Sequence, residues 1–240
     1  MTDFLDSMPS NDDEVIETEA EAHDEIVTTE VDEPPSTYRG SNADPAFGFV
    51  LAIALSVGLT PLLPANADLR YTIAWGVLAG VGVLGWLLGN ADRIGQETPE
   101  NVAWGVAFGV MVSVPFMVFF TAQFGEAARL MFPNFGVGTL LAYLLFVMPL
   151  AETLFFRGSI QRRLDFWIVG GLGGLWSVIL FFPVMWSRLS EAIAVAIFLA
   201  IALFVLNMMY SYVRFRNGLA AAWLCQITAS LILFFVPYLQ

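Results

Sequence analysis

The sequence predicts an all-α, polytopic membrane protein of about seven transmembrane helices, and three observations carry that prediction. Of its 240 residues 58% are hydrophobic and the mean hydropathy is +0.71, more than a soluble core needs. From Ala46 onward, apolar runs of bilayer-crossing length, roughly 17–25 residues, alternate with short polar breaks. Acidity is segregated as well: 14 of the 22 acidic residues precede Ala46, so the formal net charge of −12 belongs to the amino-terminal segment.

Residues 1–44 read as a disordered acidic tail, because many carboxylates, few aromatics and Pro34-Pro35 give too little apolar surface to fold alone. His23 lies there and reads as solvated. The tail lacks the basic start and compact apolar segment of a signal peptide, so the first apolar run is expected to be an uncleaved insertion signal.

Residues 45–240 form the expected transmembrane helical domain. Its apolar runs are Ala46 to Leu63, Thr72 to Leu88, Ala103 to Phe124, Val137 to Phe156, Phe166 to Trp186, Ala192 to Val213 and Leu219 to Leu239. With that alternation, Arg39, Arg93, Arg157, Arg162, Arg163, Arg214 and Arg216 fall on the side of the amino terminus, and Arg70, Arg129 and Arg188 fall opposite. The positive-inside rule then predicts a cytoplasmic tail in a cell-membrane protein.

Several patterns carry packing rather than chemistry. Gly80-Val81-Gly82-Val83-Leu84-Gly85 matches a dinucleotide fingerprint in letters only, since it lies inside an apolar span with no strand before it. Gly105 to Gly109 and Gly170 to Gly174 are spaced to let helices approach closely. Trp75, Trp104 and Trp167, near span ends, read as interfacial anchors. One cysteine, Cys225, and one histidine exclude an internal disulfide, a cysteine zinc cage and a multi-histidine metal site within one chain. No metal or other cofactor is expected.

Chemistry concentrates on three helices. In the fourth, Glu152 and Arg157 end an apolar run, where an ionisable side chain costs roughly 2.5–3.5 kcal/mol and must be paired, protonated or facing a wet cavity. Pro149 removes the donor to the Leu145 carbonyl and is expected to kink this helix. By α-helical spacing Thr153 and Arg157 share a face and Glu152 points elsewhere. In the fifth helix Pro183 precedes Trp186 by three residues. In the seventh, Gln226 and Ser230 are spaced i,i+4, a pattern that on spacing alone favours interhelical hydrogen bonds, each typically under about 1 kcal/mol.

Glu152-Thr153-Leu154-Phe155-Phe156-Arg157-Gly158, with Gln161 and Leu164 next along the chain, resembles the EExxxR(G) motif of the CPBP family. That family comprises CAAX-type prenyl endopeptidases and bacteriocin-processing or self-immunity membrane proteins. The resemblance spans about residues 137–240 and implies a CPBP-type helical core. In the family, the first motif glutamate and the histidine of an FxxxH motif activate water, and an HxxxN motif stabilises the oxyanion. By that resemblance Glu152 and Arg157 are the candidate catalytic positions. Thr153 stands for the second glutamate, Phe182 for the phenylalanine, Trp186 for the histidine, and Gln226 with Ser230 for the later histidine and asparagine.

The substitutions point away from hydrolysis. Tryptophan has one N–H donor and no acceptor, so Trp186 cannot take a proton from water as a neutral imidazole can. Thr153 removes a carboxylate that could pair with Arg157, leaving Arg157 to find Glu152, a backbone carbonyl or a lipid phosphate. The expectation is therefore a non-catalytic relative that binds a membrane protein, peptide or lipid in an intramembrane cavity, with the bilayer as its surroundings and no nucleic-acid partner. The alternatives are an active endopeptidase with Glu152 activating water, and a small transporter titrating at Glu152. The family reading also requires Glu152, Trp186 and Gln226 to meet, which they do if the fourth helix continues to about Leu164 or if Pro149 and Pro183 bend the helices together.

Overall fold

The computed structural model describes residues 45–63, 66–88, 97–189 and 193–240; the tail 1–44, with His23, lies outside the described residues. Seven helices succeed one another, with no strand among the described residues: α1 Pro45–Leu62, α2 Ala67–Leu88, α3 Pro99–Met131, α4 Val137–Arg162, α5 Phe166–Leu189, α6 Ile193–Asn217 and α7 Leu219–Tyr238. Six of them, α2 to α7, are long and apolar enough to cross a membrane, and α1 is a shorter apolar helix. The expected seven spans thus become six long ones and a shorter companion.

Local chemistry sets the boundaries. The Thr98 hydroxyl accepts from the Asn101 N–H at 3.3 Å and Pro99 opens the first turn, so α3 starts where its unpaired donors are capped. Arg214 and Arg216 occupy the last turn of α6, where cations complement the helix dipole. The chain then turns into α7 through Gly218 at φ 102°, a backbone region that glycine enters without strain.

Prolines reshape the rods from within. Ahead of Pro149, residues Tyr143–Val147 form a π turn in which the Met148 N–H reaches back to the Tyr143 carbonyl. Ahead of Pro237, Leu231–Phe235 do the same, with the Val236 N–H on the Leu231 carbonyl. In each case the residue four before the proline, Leu145 or Leu233, lies inside the widened turn. The wider turn moves its carbonyl away from the pyrrolidine ring, so the expected kink at Pro149 is taken up as a π turn. A third π turn, Thr153–Ser159, has no such proline behind it and contains Arg157. A 3-10 turn, Ile160–Arg162, then completes α4, which runs past Phe156 nearly as far as the family reading requires.

Small residues let the helices meet. The α3/α7 and α5/α6 pairs pack closely. A Cβ placed on Gly105 would overlap the Ala221 carbonyl and lie 2.7 Å from the Ala221 Cα, and one on Gly170 would lie 2.8 Å from the Met208 Cα. Gly82, from the fingerprint look-alike, is likewise a packing residue: a Cβ there would lie 2.9 Å from the Phe155 nitrogen, in the third π turn.

The two ends of the bundle differ. At one, the Glu97 carboxylate accepts from the Leu219 and Ala220 N–H groups at 2.7–2.9 Å, capping α7. Arg214 Nε donates to the Arg157 carbonyl at 3.3 Å at the same end. At the other, Arg70 is buried, donating to Thr60 Oγ1 at 3.1 Å and to the Leu180 carbonyl at 2.9 Å, one turn before Pro183. Beneath Arg70, Tyr71, Trp75, Phe132, Phe135 and Phe181 pack edge to face or tilted. Residues such as Val118, Phe119, Ile197 and Ile201 face outward, where lipid tails match them.

Gly105→Ala is expected to lower stability by about 1–3 kcal/mol, because backbone rather than a flexible side chain stands in the way. Gly76→Ala, whose Cβ meets nothing within 4 Å, is expected to be neutral or to stabilise by up to about 1 kcal/mol through helix propensity. Thermal unfolding of the two variants in detergent micelles checks the contrast.

Candidate functional site

Five helices bring polar side chains to one buried cluster. α4 supplies Glu152, Thr153 and Arg157, α7 supplies Gln226, α6 supplies Asn207 and Tyr210, α5 supplies Trp176 and Ser177, and α2 supplies Trp75. Each is between 0% and 4% exposed, so the cluster is closed to both lipid and water. The polar side chains around Glu152 are packed against one another in this conformation.

Gln226 joins the two charges. Its Nε2 donates to Glu152 Oε2 at 2.7 Å, while its Oε1 accepts from Arg157 Nη1 at 2.9 Å and from the Thr153 hydroxyl at 3.3 Å. The other carboxylate oxygen, Oε1, accepts from the Trp75 indole at 3.1 Å. Arg157 Nη2 donates to Asn207 Oδ1 at 2.9 Å, and its guanidinium lies 5.0 Å from the centre of the Tyr210 ring. The Asn207 amide in turn donates to Ser177 Oγ at 3.2 Å and to the Leu203 carbonyl at 3.0 Å. A carboxylate and a guanidinium are thus buried together and linked by one amide, the arrangement in which burial of charge is tolerated.

The π turn makes this geometry possible. In an α-helix residues five apart point about 140° away from each other, so Glu152 and Arg157 could not both face Gln226. The turn at Thr153–Ser159 adds one residue to the coil, and the Ile160 N–H reaches the Phe155 carbonyl five residues back. Glu152 therefore does not point elsewhere, as regular spacing implied; it shares one face with Thr153 and Arg157. The expected partners of Arg157 are corrected too, since its side chain binds the amides of Gln226 and Asn207.

The remaining candidate residues divide. Ser230 is buried one turn beyond Gln226 and takes no part in the hydrogen bonds that join Gln226 to Glu152, Thr153 and Arg157. Phe182 is partly buried against the apolar core. The backbone of Trp186 lies in α5, and its side chain is outside the described residues. Phe181 and Met185, also spaced i,i+4 on this helix, are each 1% exposed.

Sequence reasoning missed Trp75, Trp176, Ser177, Asn207 and Tyr210. Trp75 was read as an interfacial anchor, a role that suits Trp104 and Trp167, 48% and 64% exposed, and not the fully buried Trp75. Asn207 had a usable signal: an amide in the middle of an apolar span must find a partner, as Gln226 must. Among the described residues no group of three or more His, Cys, Asp and Glu side chains could hold a metal ion.

Helices, apolar lengths and a buried charged cluster together define an all-α polytopic membrane protein. Searches of family models, curated proteins and solved structures find no match to this chain.

Gln226→Leu removes the link on both sides and leaves two buried charges short of partners, so a loss of about 3–5 kcal/mol is expected. Ser230→Ala removes a hydroxyl that lies outside the Gln226 network and should cost no more than about 1 kcal/mol. Unfolding transitions of the two variants in micelles distinguish a clamp at Gln226 from simple helix packing.

Proposed function

We propose that the chain is a non-catalytic relative of the CPBP endopeptidases that binds a membrane-embedded protein, peptide or lipid. Its Glu152 cluster serves as the clamp that holds the binding helices in place. The observation that carries this reading is the engagement of Glu152: both carboxylate oxygens accept hydrogen bonds, from Trp75 and Gln226, and the residue is 2% exposed. A general base needs a water within hydrogen-bond reach and, in the resembled chemistry, an imidazole to share the proton. The single histidine of the sequence is His23, in the tail. The meeting of Glu152, Thr153 and Gln226 supports the resemblance itself, because motif positions 73 and 74 residues apart along the chain come into contact.

The arginine distribution supports a cytoplasmic amino terminus in a cell membrane. Protease added to inside-out vesicles is expected to remove the tail, while protease added to right-side-out vesicles leaves it intact.

Purified protein incubated in lipid vesicles with a prenylated CAAX-type peptide is expected to leave the peptide uncut, as is its Glu152→Gln variant. Cleavage by the native chain that Glu152→Gln abolishes would overturn the non-catalytic reading in favour of an endopeptidase with Glu152 activating water.

A further inference from the structure

We propose that α4 is a two-register helix: its π turn at Thr153–Ser159 closes the polar cluster, and relaxation of that turn to α geometry opens it. The proposal rests on the reading of the cluster as a closed clamp and asks how a binding partner could reach it.

Three features of the turn support a second register. The Ile160 N–H divides its hydrogen bond between the Phe155 carbonyl, its π partner, and the Phe156 carbonyl, its α partner, so at this residue the α partner is already within reach. The π turns ahead of Pro149 and Pro237 are imposed by those prolines, whereas the next proline after Ser159 is Pro183, in another helix. No side chain wedges the turn at Gly158 either, where a Cβ would make only ordinary contact with the Thr153 carbonyl at 3.5 Å and Leu219 Cδ2 at 4.0 Å.

Side chains therefore hold the π register. Glu152 and Arg157 are joined through Gln226 across the extra residue. The Ser159 hydroxyl donates to the Leu154 carbonyl at 3.3 Å, five residues back, and to the Gly82 carbonyl at 3.4 Å. Gly82 admits the turn, since any side chain there would press on the backbone of Leu154 and Phe155. Removing one residue from a helical ladder rotates the downstream part of the helix by about 100° relative to the upstream part. Relaxation to α geometry therefore swings Arg157 away from Gln226 and Asn207, leaving the Glu152 carboxylate and the two amide oxygens facing an opened space.

Cys225, the sole cysteine, reports on this motion. It is 1% exposed and precedes Gln226 by one residue in α7. The full chain in phospholipid vesicles is treated with N-ethylmaleimide and Cys225 modification is monitored by mass spectrometry. Gly82→Ala, which presses on the turn, and Ser159→Ala, which removes its side-chain bond, are each expected to speed labelling about tenfold, equivalent to about 1.4 kcal/mol. Deletion of Leu154 leaves Glu152 and Arg157 four apart, so that an α turn alone presents both to Gln226; labelling is expected to slow at least tenfold. Opposite shifts support the switch, because general loosening would move all three variants the same way. Equal rates in the native chain and its variants, or acceleration by the deletion in folded protein, would overturn it. Should the deletion fail to fold, Ser159→Ala, which loses only a hydroxyl, decides the matter: no acceleration overturns the proposal. Peptide cleavage in the separate assay would overturn the non-catalytic reading without altering these labelling rates.

Discussion

The structure depends on one amide. Gln226 offers its N–H to the Glu152 carboxylate and its carbonyl oxygen to the Arg157 guanidinium, so two opposite charges are buried without being left to solvent or lipid. Neither charge could stay in an apolar bundle alone, because an unpaired ion in a low-dielectric interior is among the most expensive features a fold can contain. The amide is a good mediator because it is donor and acceptor at once. It lets the network continue through Thr153 on one side and through Arg157, Asn207 and Ser177 on the other, until five helices are tied to one centre.

Around that centre, backbone irregularity and small residues do complementary tasks. Two π turns absorb prolines that would otherwise collide with a carbonyl one turn back, and the third brings Glu152 and Arg157 onto a common face. Glycines at the crossing points remove the side chains that would hold these distorted rods apart; Gly82 against Leu154 and Phe155 is the clearest case. Without that contact the third π turn would have no room, and the charged pair would lose its shared face.

The opposite end of the bundle solves a related problem with a single cation. Arg70 is buried against the Thr60 hydroxyl, the Leu180 carbonyl and the Tyr71 ring, 5.2 Å from its centroid. Neutral acceptors and an aromatic face take the place of a carboxylate there. Counting arginines along the chain treats Arg70 as a marker of sidedness only. Its burial also ties α1 and α2 to α5.

The order of residues alone was enough to locate the spans and the chemistry. Uninterrupted apolar runs placed the helices to within a few residues at most ends, because hydrocarbon leaves the backbone no other partner than itself. The unusual Glu152 and Arg157 were visible for the same reason. The sharing of Gln226 by Glu152, Thr153 and Arg157 was not visible, since regular helical spacing put Glu152 on another face and only the π turn overrides it. Nor could Trp75 be told from the interfacial tryptophans, because an apolar run starting at Thr72 puts it near an end, whereas the helix begins at Ala67 and carries it to mid-span, where it is buried. Periodicity is local and legible in the chain; which side chains meet across five helices depends on backbone distortions and close approaches that arise only when the helices pack.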